Sequence, residues 1–274
     1  MRDILDPLFS GARRFDGRVC IVTGSGQGIG RAAAKRLGAE GGRVVVAERV
    51  RESAQETVEQ LRAHGAEAIE AVTDVSTLAG AKELMQLAMA AFGRIDVLVN
   101  VVGGAIWWKP YHLFSEEEIG LELERNLSTA MWCCSAVLPI MIGQASGAIV
   151  NCSSGVTQGQ IFRTPYAIGK GGVEAMTRTL SKEYGQYGIR VNAISPGSTA
   201  VTDRTTPRLS LRPGVLAKTD PDLEARIREA TNDPSRTALR RQSTTAEHAG
   251  AIAFLASDDA GYITGQILNC HGDP

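Results

Sequence analysis

The stretch that most restricts the fold is Arg18-Val-Cys-Ile-Val-Thr23, which runs straight into Gly24-Ser-Gly-Gln-Gly-Ile-Gly30 and then Arg31 to Glu40. The first run is short, apolar and β-branched, as a buried strand is, and the last has helical character. A strand that enters a helix through a glycine-rich turn places backbone N–H groups and the helix amino end beside a phosphate. The spacing G-x-G-x-x-G fails from Gly24 and from Gly26, because Ile29 and Arg31 stand where glycine is needed; Gly24-x-x-x-Gly28-x-Gly30 fits. Such a turn can also serve only tight helix–strand packing, and the flanking strand and helix favour a nucleotide.

The same alternation continues along the chain. Strands are expected at Arg43–Glu48, Ala66–Thr73, Ile95–Asn100, Gly147–Cys152, Gly188–Ser195 and Ile263–Asn269. Between them, helices are expected at Arg51–His64, Thr77–Phe92, Glu116 to about Met141, a stretch led by Tyr166, Asp222–Thr231 and Thr245–Ser257. Strands alternating with helices give an α/β fold, a doubly wound parallel sheet of about seven strands covered on both faces. No linker or repeat divides the chain, and 274 residues at 43% hydrophobic supply ample core. The expected organisation is an N-terminal arm over 1–16 and one domain over 17–274, with a substrate loop at about 198–235, where periodicity is lost.

A formal net charge of -1 leaves no electrostatic footprint for nucleic acid or an anionic membrane. Five cysteines form no disulfide framework, and four histidines do not cluster with them at metal-ligand spacing. No window approaches a membrane span and the start lacks a secretory signal, so a cytoplasmic protein without a metal is expected.

Three places carry chemistry. The second strand ends on Glu48, where a dinucleotide fold needs a carboxylate for the ribose hydroxyls, and its charge opposes a 2′-phosphate. Neighbouring Arg49 partly offsets it, and Gln27 adds no positive charge, so NAD is expected over NADP. Asp74 follows the third strand, either as a cofactor contact or as a cap for the next helix. In Thr164-Pro-Tyr-Ala-Ile-Gly-Lys170, Thr164 fits a helix N-cap and Pro165 the first helical position. Tyr166 and Lys170 then lie one turn apart, and the ammonium draws the phenol pKa down toward neutrality. A tyrosine of that kind exchanges protons with an alcohol or carbonyl.

Together with Asn100-x-x-Gly103, Asn126, Ser153-Ser154 and Asn192-x-x-x-Pro196-Gly197, these segments resemble the short-chain dehydrogenase/reductase family from about Phe15 onward. The resemblance implies a Rossmann-like sheet, a nicotinamide cofactor and a catalytic tetrad at Asn126, Ser154, Tyr166 and Lys170. Cofactor contacts are implied at Gly24, Gln27, Gly28, Ile29, Gly30, Glu48, Arg49, Asp74, Val75, Asn100, Gly103, Pro196, Gly197 and Thr199, besides Tyr166 and Lys170. Two features depart from the family. Val101 replaces a second Asn, and the Ser-to-Tyr interval fits Ser153, whereas strand register favours Ser154.

Within the family, Gly103-Gly-Ala-Ile-Trp-Trp-Lys-Pro110, Trp132-Cys-Cys134, Arg163-Thr-Pro-Tyr166 and Tyr262-Ile-Thr-Gly265 are similar to the cis-dihydrodiol carboxylate dehydrogenases of benzoate and p-cumate type. This implies NAD-dependent oxidation of a ring cis-diol to a catechol in a homotetramer. Asn126 would order a water that relays the proton through Lys170. A ring acid calls for an apolar wall and a cation, for which Trp107 and Arg163 are the candidates, with Lys109, Arg204 and Arg208 as rivals. The alternatives are a carbonyl reductase, such as one for 3-oxoacyl thioesters, and a non-catalytic nucleotide-binding scaffold.

Overall fold

The computed structural model describes residues 12–203, 222 and 237–272. Its strands are β1 Val19–Thr23, β2 Arg43–Ala47, β3 Ala68–Ala71, β4 Val97–Asn100, β5 Gly147–Cys152, β6 Ile189–Pro196, β7 Thr199–Ala200, β8 Ser243–Thr244 and β9 Ile267–Cys270. The helices are α1 Gly28–Ala39, α2 Arg51–Ala63, α3 Leu78–Phe92, α4 Glu116–Leu123, α5 Thr129–Gln144, α6 Thr164–Tyr184 and α7 Thr245–Ala256. Seven strands form one sheet in the order β3-β2-β1-β4-β5-β6-β9, every pairing parallel. The order reverses between β1 and β4, and in open α/β sheets ligands bind beyond the strand ends at such a reversal.

Period-two alternation along each strand builds two cores. Cys20, Val22, Val44 and Val46 face the side covered by α1 and α7, where Ala33, Leu37, Ile252 and Ala253 pack. Val19, Ile21, Val45 and Leu98 face the side of α3 and α5, where Leu84, Met85, Val137 and Met141 pack. The continuous helical run Glu116–Gln144 is long and apolar enough to cross a membrane by length and composition. Cys133, Cys134, Val137, Leu138 and Met141 instead put its apolar side into the second core.

Several expected boundaries move for local reasons. Residues 12–16 are not a loose arm: Phe15 is fully buried, and Arg14 donates to both carboxylate oxygens of Glu40 at 2.6 and 2.8 Å. Between α4 and α5, Glu124–Ser128 forms a π turn, which contains Asn126. Helix α6 starts one residue early, so Arg163 is its N-cap, without a side-chain cap bond, and Thr164 is its first helical residue. Pro196 ends β6 in register with Cys270 rather than lying beyond the strand. The last strand starts at Ile267 because the chain first turns at Gly265, φ +74°, whose N–H donates to Val191 O. Thr199–Ala200 pairs with Ser243–Thr244, tying together the two ends of the expected loop. The expected helix Asp222–Thr231, apart from Asp222, lies outside the described residues, as do Arg204 and Arg208.

Candidate active site

A cavity of about 420 Å³ opens at the strand-order reversal. Gly24, Gln27, Gly28, Ile29 and Gly30 line one part, Glu48, Arg49, Asp74 and Val75 a second, Gly103, Ser154, Tyr166 and Lys170 a third, and Pro196, Gly197 and Thr199 a fourth. Most residues named from the sequence are therefore brought together.

The glycine turn is shaped for close backbone approach. Gly24 and Gly28 have φ of +64° and +60°, and a Cβ on Gly30 would lie 2.1 Å from Gly24 O. The amino end of α1 already holds an anion: Gly28 N–H is 3.1 and 3.2 Å from the carboxylate oxygens of Asp203. Glu48 accepts from Gly26 N–H at 3.2 Å and from Arg49 and Val50 N–H at 3.0 and 3.3 Å. Asp74 accepts from Ser76 N–H at 2.9 Å, so it both lines the cavity and caps the turn before α3. A groove with backbone donors at one place and a carboxylate at a strand end fits an adenine dinucleotide. Gly24–Gly30 would hold its phosphates and Glu48 its ribose hydroxyls. Asn100 stands behind the cavity, not on it, and its amide donates to Asn151 Oδ1 at 2.9 Å, joining β4 to β5.

Tyr166 and Lys170 project from α6 one turn apart, and both are buried. Lys170 Nζ donates to Cys152 O at 2.7 Å, and burial pushes the Lys170 pKa down. The two serines diverge. Both line the cavity, but Ser153 Oγ donates to Glu174 at 2.8 Å, while Ser154 Oγ accepts from Val156 N–H at 3.3 Å.

Asn126 is buried and does not line the cavity. Its Oδ1 accepts from Gly104 N–H at 2.7 Å, and its Nδ2 donates to Glu122 O and Oε2 at 3.0 and 2.9 Å. The side chain expected to order a water instead spends both ends on protein. A Cβ on Gly103, φ +157°, would come within 2.7 Å of Lys170 Nζ and 2.9 Å of Asn126 Oδ1. Glycine at this position is what lets the β4 loop pass these two side chains.

The substrate candidates are arranged differently from expectation. The Arg163 guanidinium stacks over the Trp108 ring, 3.9 Å from its centroid, and neither Arg163 nor Trp107 lines the cavity. Lys109 is paired with Glu118 at 2.6 Å. Two positions at the site were not singled out from the sequence. Glu122, fully buried, accepts from Ile106 and Trp107 N–H at 2.7 and 3.0 Å as well as from Asn126. Burial pushes its pKa up, and the N–H donors pull the other way. Arg125, beside Asn126, lines the cavity, and burial lowers its pKa, with the positive charge of Arg49 acting in the same direction. Glu122 stands four residues before Asn126, one helical turn, and that spacing was available from the sequence.

A tyrosine, a buried lysine and a serine hydroxyl around one cavity, beside a nucleotide-shaped groove, define a dehydrogenase that moves hydride and proton together. Residues 18–210 match the family model for short chain dehydrogenase, and the chain belongs to that family of oxidoreductases. It is 46% identical over 95% of its length, and 97% of the relative's, to 1,6-dihydroxycyclohexa-2,4-diene-1-carboxylate dehydrogenase of Acinetobacter baylyi. It is 42% identical to the enzyme of the same name from Pseudomonas putida, covering 95% of this chain and 93% of the relative. The structure of NAD+-bound xylitol dehydrogenase superposes with a TM-score of 0.83 at 30% identity, covering 94% of this chain and 99% of the other. The chain is an enzyme of the nicotinamide-dependent class, and the likeness to dihydrodiol carboxylate dehydrogenases extends over nearly its whole length.

Proposed function

We propose that the protein oxidises 1,6-dihydroxycyclohexa-2,4-diene-1-carboxylate, or a close ring acid, with NAD+ to give a catechol. The observation that carries this reading is the placement of Ser154, Tyr166 and Lys170 on one cavity with Glu48, joined to the two relatives of that activity. C1 of such a diol bears hydroxyl and carboxylate and no hydrogen, so only C6 can lose a hydride. Tyr166 takes the C6 hydroxyl proton, and Ser154 donates to the same oxygen, holding the carbinol in place. Lys170, buried one helical turn from the tyrosine, when protonated favours the phenolate that acts as the base. When bound, the nicotinamide accepts the hydride. The product ketone is β to the carboxylate, so loss of CO2 and tautomerisation yield the aromatic catechol without a further catalytic group.

NAD is proposed over NADP on the strength of Glu48, a carboxylate at the strand end where a 2′-phosphate would meet its charge. Glu48→Ser should lower the NAD+/NADP+ ratio of kcat/KM by about tenfold or more, the worth of one charge contact. The activity itself is tested by NADH formation and CO2 release from the carboxylated diol. No turnover of that diol, with NADPH oxidation by a 3-oxoacyl thioester, would instead select the reductase alternative.

A homotetramer is proposed from the family likeness, to be checked by light scattering. A cytoplasmic setting is proposed because all five cysteines are free thiols.

A further inference from the structure

Lys170 shares the cavity wall with a second, half-buried cation. Arg125 precedes Asn126 in the π turn, lines the cavity together with Ile106 and Leu121, and buries its Nε. That Nε meets no acceptor among the described residues. A guanidinium stays charged at every pH a protein meets, and although the charges of Glu122 and Glu48 reach it, neither accepts from this Nε, so the donor is left for an anion that enters. The other cations nearby are committed elsewhere. Lys109 is paired with Glu118, Arg163 lies flat on Trp108, and Lys170 donates to Cys152 O. Arg49 also lines the cavity, but it is exposed and adjoins Glu48, the proposed ribose ligand.

Resting on the activity proposed above, we propose that Arg125, rather than Arg163, binds the ring carboxylate of the substrate. A planar fork suits a carboxylate bidentately, and Ile106 and Leu121, which line the same cavity, offer the ring an apolar surface. Arg125 would thereby set the preference for the acid over a neutral diol and fix which carbinol faces Tyr166. Asn126, next in the chain, holds Gly104, so the clamp and the β4 loop are built on one turn of helix.

The test compares the carboxylated diol with the cis-dihydrodiol of benzene in the wild type, Arg125→Met, Arg125→Lys and Arg163→Met, with the KM for NAD+ measured alongside. Arg125→Met should lower the acid-to-neutral ratio of kcat/KM by about 10- to 100-fold, the scale of one lost charge-assisted pair. Arg125→Lys should recover part of the ratio, and Arg163→Met should leave it largely intact. As a measure that needs no turnover, benzoate should raise the Tm of the wild-type NADH complex and fail to raise that of Arg125→Met. An unchanged ratio in Arg125→Met, or a loss expressed as a raised KM for NAD+ with both diols, would overturn the assignment. Failure of the wild type to oxidise the carboxylated diol at all would overturn the proposed activity instead.

Discussion

Where the cavity meets the Gly24–Gly30 turn its wall is mainly backbone, whereas along Gly103–Ile106 it is a loop suspended from buried side chains. The first is shaped by residues that have no side chain: a Cβ at Gly26 would meet Glu48 at 2.7 Å, and one at Gly30 would meet Gly24 O. The second depends on one carboxylate, Glu122, and one amide, Asn126, which between them hold the N–H groups of Gly104, Ile106 and Trp107. A backbone-built wall binds what any dinucleotide shares. A side-chain-held wall can be re-aimed by changing a few residues, and substrate choice belongs there.

Four substitutions probe that contrast, and a fifth, at His248, probes acid stability. Tyr166→Phe should have the largest effect, lowering kcat by about 10²- to 10⁴-fold with cofactor affinity and Tm nearly unchanged. Steady-state kinetics beside a thermal scan would show it, and near-normal turnover would leave the tyrosine without its role. Gly103→Ala introduces a Cβ at 2.7 Å from Lys170 Nζ, so kcat should drop by about 10- to 100-fold for a displaced catalytic group. Gly30→Ala makes the counterpart: overpacking against Gly24 O should cost about 1–3 kcal/mol of stability. Equal effects of the two glycine changes on kcat and on Tm would erase the distinction between the walls.

Glu122→Gln keeps one acceptor but faces the Asn126 amide with a second donor. It should destabilise the protein by about 1–3 kcal/mol and raise the KM for substrate more than that for NAD+. A rise confined to NAD+ would place Glu122 with the cofactor half. The smallest effect concerns His248, whose pKa burial lowers to about 4. Its Nε2 lies 2.7 Å from Ser243 Oγ and 3.0 Å from Thr199 Oγ1. The unfolded chain binds the proton first as pH falls below about 6.5, so stability is complete above that pH and declines toward pH 4. At pH 5.5 the loss should be about 1–1.5 kcal/mol. The difference in Tm between pH 7 and pH 5.5 should shrink in His248→Gln, and an unaltered difference would assign the acid sensitivity to other groups.

How far the sequence could be read follows from the same contrast. The strand–glycine–helix unit, the parallel sheet and the Tyr166–Lys170 pair were legible because local spacing alone dictates them. Glu48 was legible as the acid ending a strand. Arg163 looked like a carboxylate clamp because it lies three residues before Tyr166, but its partner is Trp108, and that contact is made across the fold. Beyond its spacing from Asn126, nothing in the sequence sets Glu122 apart from Glu116, Glu117 and Glu118, which precede it. Its burial depends on where the β4 loop passes, which spacing within one helix does not encode. The π turn was hidden for a similar reason, because an uninterrupted helical pattern carries no mark for one extra residue.

That extra residue sets a rule about length. An α-helix turns about 100° per residue, so deleting any one position within Glu124–Ser128 would restore a regular ladder and rotate α4 by about that angle against α5. The buried face of α5 would keep its place on the sheet. Glu122 would swing away from Ile106 and Trp107, taking the support of the loop with it. A one-residue shortening would therefore dismantle the loop support in a protein whose sheet still folds.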